Sequence, residues 1–476
     1  MRRPLLAYLA TLIVFGGGIL LLLEQGRRLE RTRDAATAAS VPSAAPTAGA
    51  APGFLDALRH PLPTLLLQII AIVAAARLMG ALFRRIGQPP VIGEIVAGIV
   101  LGPSLFGALA PRAFSFLFAP ESIGLLKLFA EIGVLLFLFA VGLDLDVDHI
   151  RNRAQAALFV SHVSIVVPYF LGVALALLLY AEFAPAGVSF LAFALFMGIA
   201  MSITAFPVLV RILRERGLST TLLGTTAITC AAVDDVTAWG LLAIVVAIAG
   251  AGGLGGAALT LVLTLVFIAA MLLVVGPWLT RSLAGSVGRE EPGKGAIAFV
   301  LVFLLASALT TELIGIHALF GAFLAGVVMP RDRRFRAFLS ARLEEFSSVF
   351  LLPLFFAFTG LRTRIGLLDD ARSWVICGLV ILVATLGKLG GTMAAARMTG
   401  SAWADAFALG ALMNTRGLME LIALNVGYEL GILSPRIFAI MVLMAIVTTF
   451  ATGPLLSLAN RWRGAEPQRT ATASVS

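Results

Sequence analysis

Long apolar runs separated by short polar segments dominate the chain. A membrane-spanning helix needs about 20 mostly apolar residues. With that window the sequence predicts a leading segment at Leu5–Leu23 and thirteen further spans, numbered 1 to 13: 63–83, 90–109, 121–143, 154–181, 188–211, 220–249, 256–280, 295–313, 315–330, 346–361, 373–396, 404–430 and 434–459. Spans 8 and 9 nearly fuse. The pattern predicts an all-α polytopic membrane protein.

The composition excludes a soluble protein. Of 476 residues, 60% are hydrophobic and only 13% are charged, about half the charged share of a soluble domain. The net charge of +9 is compatible with nucleic-acid binding, but all except three of the 35 basic residues are arginines, mostly in short clusters between apolar runs. That is a topology pattern, so we expect no nucleic-acid partner. Cys230 and Cys377 both lie in apolar runs, which excludes a disulfide framework and a cysteine metal site.

Arginine placement tests the span count. If span 1 ends in the cytoplasm, the loops on that side carry 18 basic residues: Arg84, Arg85, Arg151, Arg153, Arg211, Arg214, Arg216, Arg281, Arg289, Lys294, Arg331, Arg333, Arg334, Arg336, Arg342, Arg397, Arg461 and Arg463. The opposite loops carry five, namely Arg112, Arg362, Arg364, Arg372 and Arg436. This asymmetry predicts thirteen spans with a cytoplasmic C-terminus, as in a bacterial inner membrane.

The predicted organisation has four parts. Residues 1–23 are an uncleaved anchor helix or, alternatively, a signal segment, because the basic flank fits both while the apolar core is long for a signal peptide. Residues 24–62, rich in Ala, Pro, Ser and Thr, are predicted to be a flexible linker. Residues 63–460 form the membrane domain and 461–476 a short cytoplasmic tail.

The membrane domain contains a repeat in opposite orientations. Span 2 holds Gly93-Glu-Ile-Val-Ala-Gly-Ile-Val-Leu-Gly-Pro103, and span 9 holds Gly321-Ala-Phe-Leu-Ala-Gly-Val-Val-Met-Pro330. By the arginine count the first runs outward and the second inward, so residues 63–249 and 295–459 are predicted to be inverted repeats, a recurring transporter architecture. The alternative is that small residues simply recur at helix contacts.

The fifth span of each repeat is predicted to be broken. Breaks are expected at Ser202–Pro207 and Met413–Gly417, because Pro, Gly and Asn-Thr disfavour helix. Irregular backbone at membrane depth lines a cavity or a protein interior, so two corresponding breaks predict a binding site where they cross. The alternative is a pair of ordinary kinks. The candidate residues are Thr204, Ala205, Phe206, Pro207, Asn414, Thr415, Arg416 and Gly417.

Ionisable residues at the bilayer centre are costly and call for an explanation. Asp234 and Asp235 lie near the middle of span 6 and point about 100° apart, so they should have different roles. Lys388, mid-span and flanked by glycines, is the natural counter-charge. A structural salt bridge without a transport role is the alternative for this lysine.

Five more charged residues are expected to be structural, with ligand contact as the alternative for Arg416 and Glu420. Arg416 and Glu420 should pair with each other or with Glu94 to hold the broken backbone, and Lys127 and Glu131 should form another pair. No His or Cys lies at ligand spacing, so we expect neither a zinc site nor a cofactor.

These residues indicate a mechanism. A carboxylate at the midplane, exposed to one side at a time, can hold a proton or a small monovalent cation, and its single charge makes the two compete. Asp235, Asp234 and carbonyls freed near the breaks offer the oxygen ligands that such a cation requires. Alternate exposure then gives exchange, which is transport rather than enzymatic catalysis.

The chain resembles the monovalent cation:proton antiporter-2 family of the sodium/proton exchanger superfamily. The resemblance covers residues 60–460 and lies in Gln88–Pro103, Thr204–Leu213, Asp234-Asp235, Gly387-Lys388 and Asn414–Glu420. It implies a homodimer with a scaffold domain and a mobile core, Asp235 as the ion and proton carrier, and Asp234 as the partner of Lys388. The double Asp with Lys resembles charge-moving exchangers. Only a short tail follows span 13, so we expect no nucleotide- or glutathione-gated domain.

Rival functions make different demands. An intramembrane aspartyl protease needs two aspartates facing each other from different helices, and neighbours on one helix fit this poorly. A sodium-coupled symporter of small organic solutes shares the inverted architecture but needs a roomier polar cavity. A receptor or channel is a third alternative. The sequence does not distinguish between sodium, potassium and lithium as the transported cation, because selection among them depends on the geometry of the cavity.

Overall fold

The computed structural model describes residues 60–144, 154–219, 221–250, 254–285 and 292–465. The leading segment and nearly all of the predicted linker lie outside these residues. All regular secondary structure in the described residues is helical, which confirms the all-α prediction for them. Eleven of these helices are long and apolar enough to cross a membrane, and one bent pair makes a twelfth.

The helices are numbered after the predicted spans. The first six are α1 (Pro61–Arg85), α2 (Pro90–Leu101), α3 (Pro120–Asp144), α4 (Ala154–Phe183), α5a (Phe190–Ser202) with α5b (Phe206–Glu215), and α6 (Leu222–Gly250). Two short helices, Phe106–Leu109 and Pro111–Leu117, join α2 to α3. Proline occupies the first or second position of α2 and α5b, where its missing N–H has no intrahelical partner to lose.

Seven more follow along the chain. Three contain a π-helical turn: α7 (Leu254–Ala270, Met271–Val275, Gly276–Ser282), α10 (Arg333–Phe346, Ser347–Leu351, Leu352–Arg362) and α11 (Ala371–Thr385, Leu386–Gly390, Gly391–Met398). The others are α8 (Lys294–Ile314), α9 (Ala318–Val327), α12a (Trp403–Met413) with α12b (Leu418–Glu429), and α13 (Pro435–Ala465). The π turn of α11 contains Lys388, and such turns are frequent at functional sites.

Span 9 is shorter than its prediction of 315–330. Helix α9 has ten residues, about half of what a bilayer crossing requires. It is separated from α8 by Gly315 and His317, whose φ angles of 94° and 68° lie in the left-handed region and end the preceding helix. The Ser307 hydroxyl donates to the Gly321 carbonyl at 2.7 Å, so α8 and α9 pack side by side.

The helices pack in two groups. The crossing group consists of α4, α5, α6, α11, α12 and α13, and the flanking group consists of α1, α2, α3, α7, α8, α9 and α10. Within the flanking group, glycines allow very close backbone contacts. A Cβ added at Gly98 of α2 would lie 2.2 Å from the Phe356 carbonyl oxygen, and one at Gly326 of α9 would lie 2.2 Å from that of Phe139. Only glycine fits these contacts, which explains part of the small-residue motif.

Candidate functional site

The two helix breaks contact each other. Helix α5 is interrupted at residues 203–205, and α12 at residues 414–417 with a bend of 42°. The Ala205 N–H donates to the Thr415 carbonyl at 2.9 Å, and the Thr204 hydroxyl lies 3.0 Å from the Met413 carbonyl oxygen. Backbone groups freed by one break are thereby satisfied by the other.

The breaks are narrower than the predicted segments. Phe206 and Pro207 lie in the first turn of α5b, because proline fits the start of a helix better than a helix interior. At the second break Gly417 has φ 149°, and a Cβ there would lie 3.1 Å from the Val208 side chain. Glycine therefore lets the chain turn into α12b beside α5b.

Asp234 is enclosed by donors. Its side chain is fully buried, and the Ser161 hydroxyl donates to Oδ1 at 2.5 Å. The hydroxyls of Ser164 and Thr204 lie 3.0 Å and 2.9 Å from Oδ2. Each of these two hydroxyls has one proton and a second acceptor nearby, the carbonyl of Ser161 for Ser164 and that of Met413 for Thr204. Each hydroxyl can therefore donate either to Asp234 or to that carbonyl. The surroundings stabilise a charged carboxylate at this position.

Lys388 completes that arrangement. Its Nζ lies 2.7 Å from Asp234 Oδ2, with both side chains fully buried. The same ammonium donates to the carbonyl of Ser202 at 2.6 Å and lies 3.4 Å from the Ser164 hydroxyl. The structure thus brings together the predicted pair of Asp234 and Lys388, and it attaches the lysine to the last residue of α5a. Their role in transport stays a prediction.

Asp235 has the opposite environment. It is only 2% exposed, and neither of its carboxylate oxygens has a hydrogen-bond partner among the described residues. A buried carboxylate without a partner is costly unless it carries a proton or meets a cation. Asn414, in the second break, is also fully buried, and within the described ranges neither its side-chain oxygen nor its nitrogen has a hydrogen-bond partner. The two aspartates of one helix therefore have different surroundings; that they have different roles stays a prediction.

Arg416 joins the two broken helices. Its guanidinium donates to the carbonyls of Ala200 at 2.9 Å and Met201 at 2.5 Å, near the C-terminal end of α5a, where positive charge is favoured. It also lies 3.4 Å from Glu420, close enough for an ion pair but without a hydrogen bond to that carboxylate. The predicted Arg416–Glu420 pair is therefore present.

Glu94 lies elsewhere, on the wall of a cavity of about 400 Å³. This cavity begins at the C-terminal ends of helices α1, α3 and α5b. It extends to the first turns of α5b and α12b, where the broken helices cross. Its charged lining residues are Arg77, Arg84, Glu94, Asp144, Arg211 and Arg214. We call this end of the bundle the arginine-rich end. Glu94 is thus a residue of the approach to the crossing.

A second cavity of about 530 Å³ lies between α4, α6 and helices α7–α9, and its lining is almost wholly apolar. Among the described residues, no group of three or more His, Cys, Asp or Glu side chains is arranged to hold a metal ion.

Sequence reasoning missed the serines. Ser161 and Ser164 are spaced three apart and so share one face of α4. Two hydroxyls on one face of an otherwise apolar span were the available signal. Their target could not be inferred, because Asp234 is 70 or more positions away along the chain.

Two broken helices that cross beside buried charges define a secondary transporter of the discontinuous-helix type. Residues 70–461 match the family described as sodium/hydrogen exchanger, transmembrane, and the chain belongs to that family. The resemblance to monovalent cation:proton antiporters is thereby confirmed. This is a family of transporters, not of enzymes.

Several curated proteins are similar. The chain is 44% identical over 393 residues to the Na(+)/H(+) antiporter NhaS4 of Synechocystis sp., covering 82% of this chain and 96% of that protein. It is 41% identical over 415 residues to Cation/H(+) antiporter 20 of Arabidopsis thaliana, covering 83% and 48%. It is 34% identical over 408 residues to K(+)/H(+) antiporter 1 of Saccharomyces cerevisiae, covering 84% and 46%. The chain spans about half the length of these plant and yeast relatives.

A solved structure has a similar fold. The sodium proton antiporter MjNhaP1 of Methanocaldococcus jannaschii superposes with a TM-score of 0.62 at 10% identity, covering 84% of this chain and 98% of that one. At this identity the likeness concerns the fold alone.

Proposed function

We propose that this chain exchanges a monovalent cation, sodium or potassium, for protons by alternating access at the crossing of α5 and α12. The single observation that carries this proposal is the contrast within the Asp pair. Asp234 is saturated by Lys388 and hydroxyl donors, whereas both oxygens of Asp235 are buried and have no hydrogen-bond partner in the part of the chain that the structure describes. A carboxylate kept without protein partners is available to a proton or to a cation, and one negative charge favours one of them at a time.

The residues around Asp235 have supporting roles in the proposal. Asp235 is the carrier, and Asn414 offers a hard oxygen from the break of α12. Thr204, Ala205, Thr415 and Gly417 maintain the irregular backbone, and Arg416 with Glu420 fixes the ends of the half-helices. Opposed half-helix ends balance the change of charge when the ion enters or leaves.

The cycle is proposed to move charge. Lys388 is held by Asp234, so it can release or regain a proton as the charge beside it changes. The number of positive charges carried across the membrane in one half-cycle then differs from the number carried back in the other. Each elementary charge gains about 2.3 kcal/mol per 100 mV, so membrane potential can drive such a cycle.

We also propose thirteen spans in inverted repeats, with α9 completing its crossing together with its flanking residues. Matched glycine contacts support this. Gly93 of α2 meets the backbone of α1 and Gly98 meets α10, whereas Gly321 of α9 meets the backbone of α8 and Gly326 meets α3. If the two halves are repeats, α1 corresponds to α8, α2 to α9 and α3 to α10. The second helix of each repeat, α2 or α9, then packs on the first helix of the same repeat and on the third helix of the other repeat.

The proposed orientation places the arginine-rich end and the C-terminus in the cytoplasm, with the protein in a bacterial inner membrane. Arg336 supports a common end for these segments, because it donates to the carbonyls of Leu143 and Val327 at 3.0 Å, at the ends of α3 and α9. We propose a homodimer through the flanking group, as the resemblance implies.

A symporter of organic solutes is the second candidate, and the cavities favour it less. The cavity of about 530 Å³ is apolar, and the approach of about 400 Å³ carries four arginines beside two carboxylates. A symporter would show sodium uptake that depends on an added solute.

The test uses purified protein in sealed vesicles with an imposed pH gradient. Adding sodium, potassium or lithium in turn should dissipate the gradient for the transported cation, and Asp235→Asn should abolish that effect. Asp369→Asn is the matched control, because Asp369 lies in an exposed loop. Dissipation by Asp235→Asn at the parent's rate would refute the site. A rate that ignores an imposed voltage would refute the proposed charge movement separately.

A further inference from the structure

A cluster of charges closes the end of the bundle opposite the arginine-rich end. Glu429, the last residue of α12b, forms ion pairs with Lys127 of α3 at 3.1 Å and with Arg362 of α10 at 2.9 Å. Lys127 also lies 3.3 Å from Glu131, one turn further along α3. Two cations of the flanking group therefore meet one carboxylate of the crossing group.

Hydrogen bonds of Asn425 reinforce the same junction. Asn425, one turn before Glu429, accepts from Arg362 at 3.0 Å and donates to the Thr359 hydroxyl of α10 at 2.8 Å. Arg362 also lies over the rings of Phe358 and Tyr428, one from each helix group. The aromatic rings reduce the hydration of the guanidinium, which strengthens its ion pair relative to a fully exposed one.

The two ends of the bundle differ in openness. Below the charge cluster, a cavity of only about 30 Å³ is lined by Glu131, Val134, Asn425 and Glu429. At the arginine-rich end, the cavity between the same two helix groups measures about 400 Å³ and reaches the first residue of α12b, Leu418. At the two ends of the bundle, the groups are thus in contact where the charges pair and apart where the cavity of about 400 Å³ lies.

We propose that Glu429 with Lys127, Arg362 and Asn425 is a latch between the two helix groups, which keeps this end closed while the arginine-rich end is open. For the opposite end to open, α12b must separate from α3 and α10, and the Glu429 pairs must break first. The latch thereby sets the ratio of the two access states. This inference rests on the proposed alternating access, but it concerns which state is populated and not which ion is carried.

The consequence is a shift in population. Glu429→Gln removes two ion pairs that exist only in the state closed at this end. Each partly exposed pair favours the closed state about 2.3-fold, so with both pairs lost the population open at this end should rise roughly five-fold. Lys127→Gln removes one of the two pairs with Glu429 and should give a smaller rise, of about two-fold.

Thiol labelling measures this directly. In a background with Cys230→Ala and Cys377→Ala, a cysteine is introduced by Val134→Cys in the closed end or by Val210→Cys in the wall of the cavity at the arginine-rich end. A membrane-impermeant thiol reagent is added without any ion gradient. Glu429→Gln should raise the labelling rate of Val134→Cys roughly five-fold and should not raise that of Val210→Cys.

Glu182→Gln is the matched control. Glu182 pairs with Arg372 at 2.9 Å and with Arg436 at 3.7 Å at the same end, but all three residues belong to the crossing group. Breaking these pairs should leave the labelling of Val134→Cys unchanged. An equal rise in the control, or no rise in Glu429→Gln, would overturn the latch.

Two safeguards keep the test decisive. If Glu429→Gln does not fold, Lys127→Gln and Arg362→Gln, which each remove one of its two ion pairs, test the latch by the same labelling with the smaller rise of about two-fold. If the labelling shifts as expected while the vesicle assay shows no cation:proton exchange, the latch stands and the proposed function fails. If the vesicle assay shows exchange while the labelling rate does not change, the proposed function stands and the latch fails.

Discussion

The buried pair of Lys388 and Asp234 yields the sharpest energetic prediction. Lys388→Met keeps the length of the side chain but removes three contacts of Nζ, to Asp234, Ser202 and Ser164. Asp234 then stays fully buried without its counter-charge. Removing one partner of a buried pair costs about 3–5 kcal/mol, because the other charge stays desolvated.

The second change should reverse most of that loss. With Asp234→Asn added, no unpaired charge remains, and the amide oxygen still accepts from Ser161, so the double variant should lie within about 1–2 kcal/mol of the parent. For a chain of this length, 1 kcal/mol corresponds to roughly 1 °C in Tm. The single variant should therefore unfold roughly 3–5 °C lower, and the double variant much nearer to the parent.

Thermal unfolding of the purified protein in one detergent measures all variants side by side. Lys127→Met is the control, since that lysine is 36% exposed and its two pairs together should contribute under about 2 °C. A double variant that melts below both single variants would mean that the effects add. The two side chains would then not depend on each other, and the geometry of the site would be wrong.

Two further predictions concern packing and pH. Gly98→Ala and Gly326→Ala each place a Cβ 2.2 Å from a backbone oxygen, so each should destabilise the protein by about 1–3 kcal/mol. Gly378→Ala is the control, because a Cβ there meets open space and should cause no loss of stability. Unequal losses of stability at Gly98 and Gly326 would count against the matched repeats. Asp370, before α11, has a lowered pKa because it accepts hydrogen bonds from Ser373, with Arg436 adding attraction. Its contribution to stability is therefore fully present above the ordinary Asp pKa of about 3.9 and is lost as pH falls through the lower pKa of the folded state. The Tm difference between the parent and Asp370→Ala should persist from pH 7 to pH 4 and disappear in stronger acid. A Tm difference that grows in acid would contradict this direction.

Much of the fold was predictable because its signals are local. Twelve predicted spans correspond to helices of suitable length or to the bent pair, since apolar length alone decides whether a segment crosses a bilayer. Both breaks were found from Pro207 and from the Asn414–Gly417 segment, because these residues disfavour helix wherever they occur. Span 9 was overestimated, since apolar composition does not reveal that Gly315 and His317 end a helix.

The candidate site was predictable only in part. That ionisable residues at the bilayer centre need partners followed from the cost of burying charge, which singled out Asp234, Asp235 and Lys388. Which aspartate meets the lysine came from the resemblance and not from spacing. The attachment of Glu429 to Lys127 and Arg362 had no sequence signal, because these residues lie on three helices far apart in the chain.

The sequence by itself determined the membrane class, the spans, the breaks and the need for a charge partner at the midplane. Tertiary packing alone decided that Asp234 faces Lys388, 154 positions away, with Ser161 and Ser164 beside it, while Asp235 faces no donor from the described helices. The reason is geometric. Hydrophobic length and backbone preference act over one helix, whereas the direction in which a side chain meets another helix depends on how six helices rotate and pack against one another.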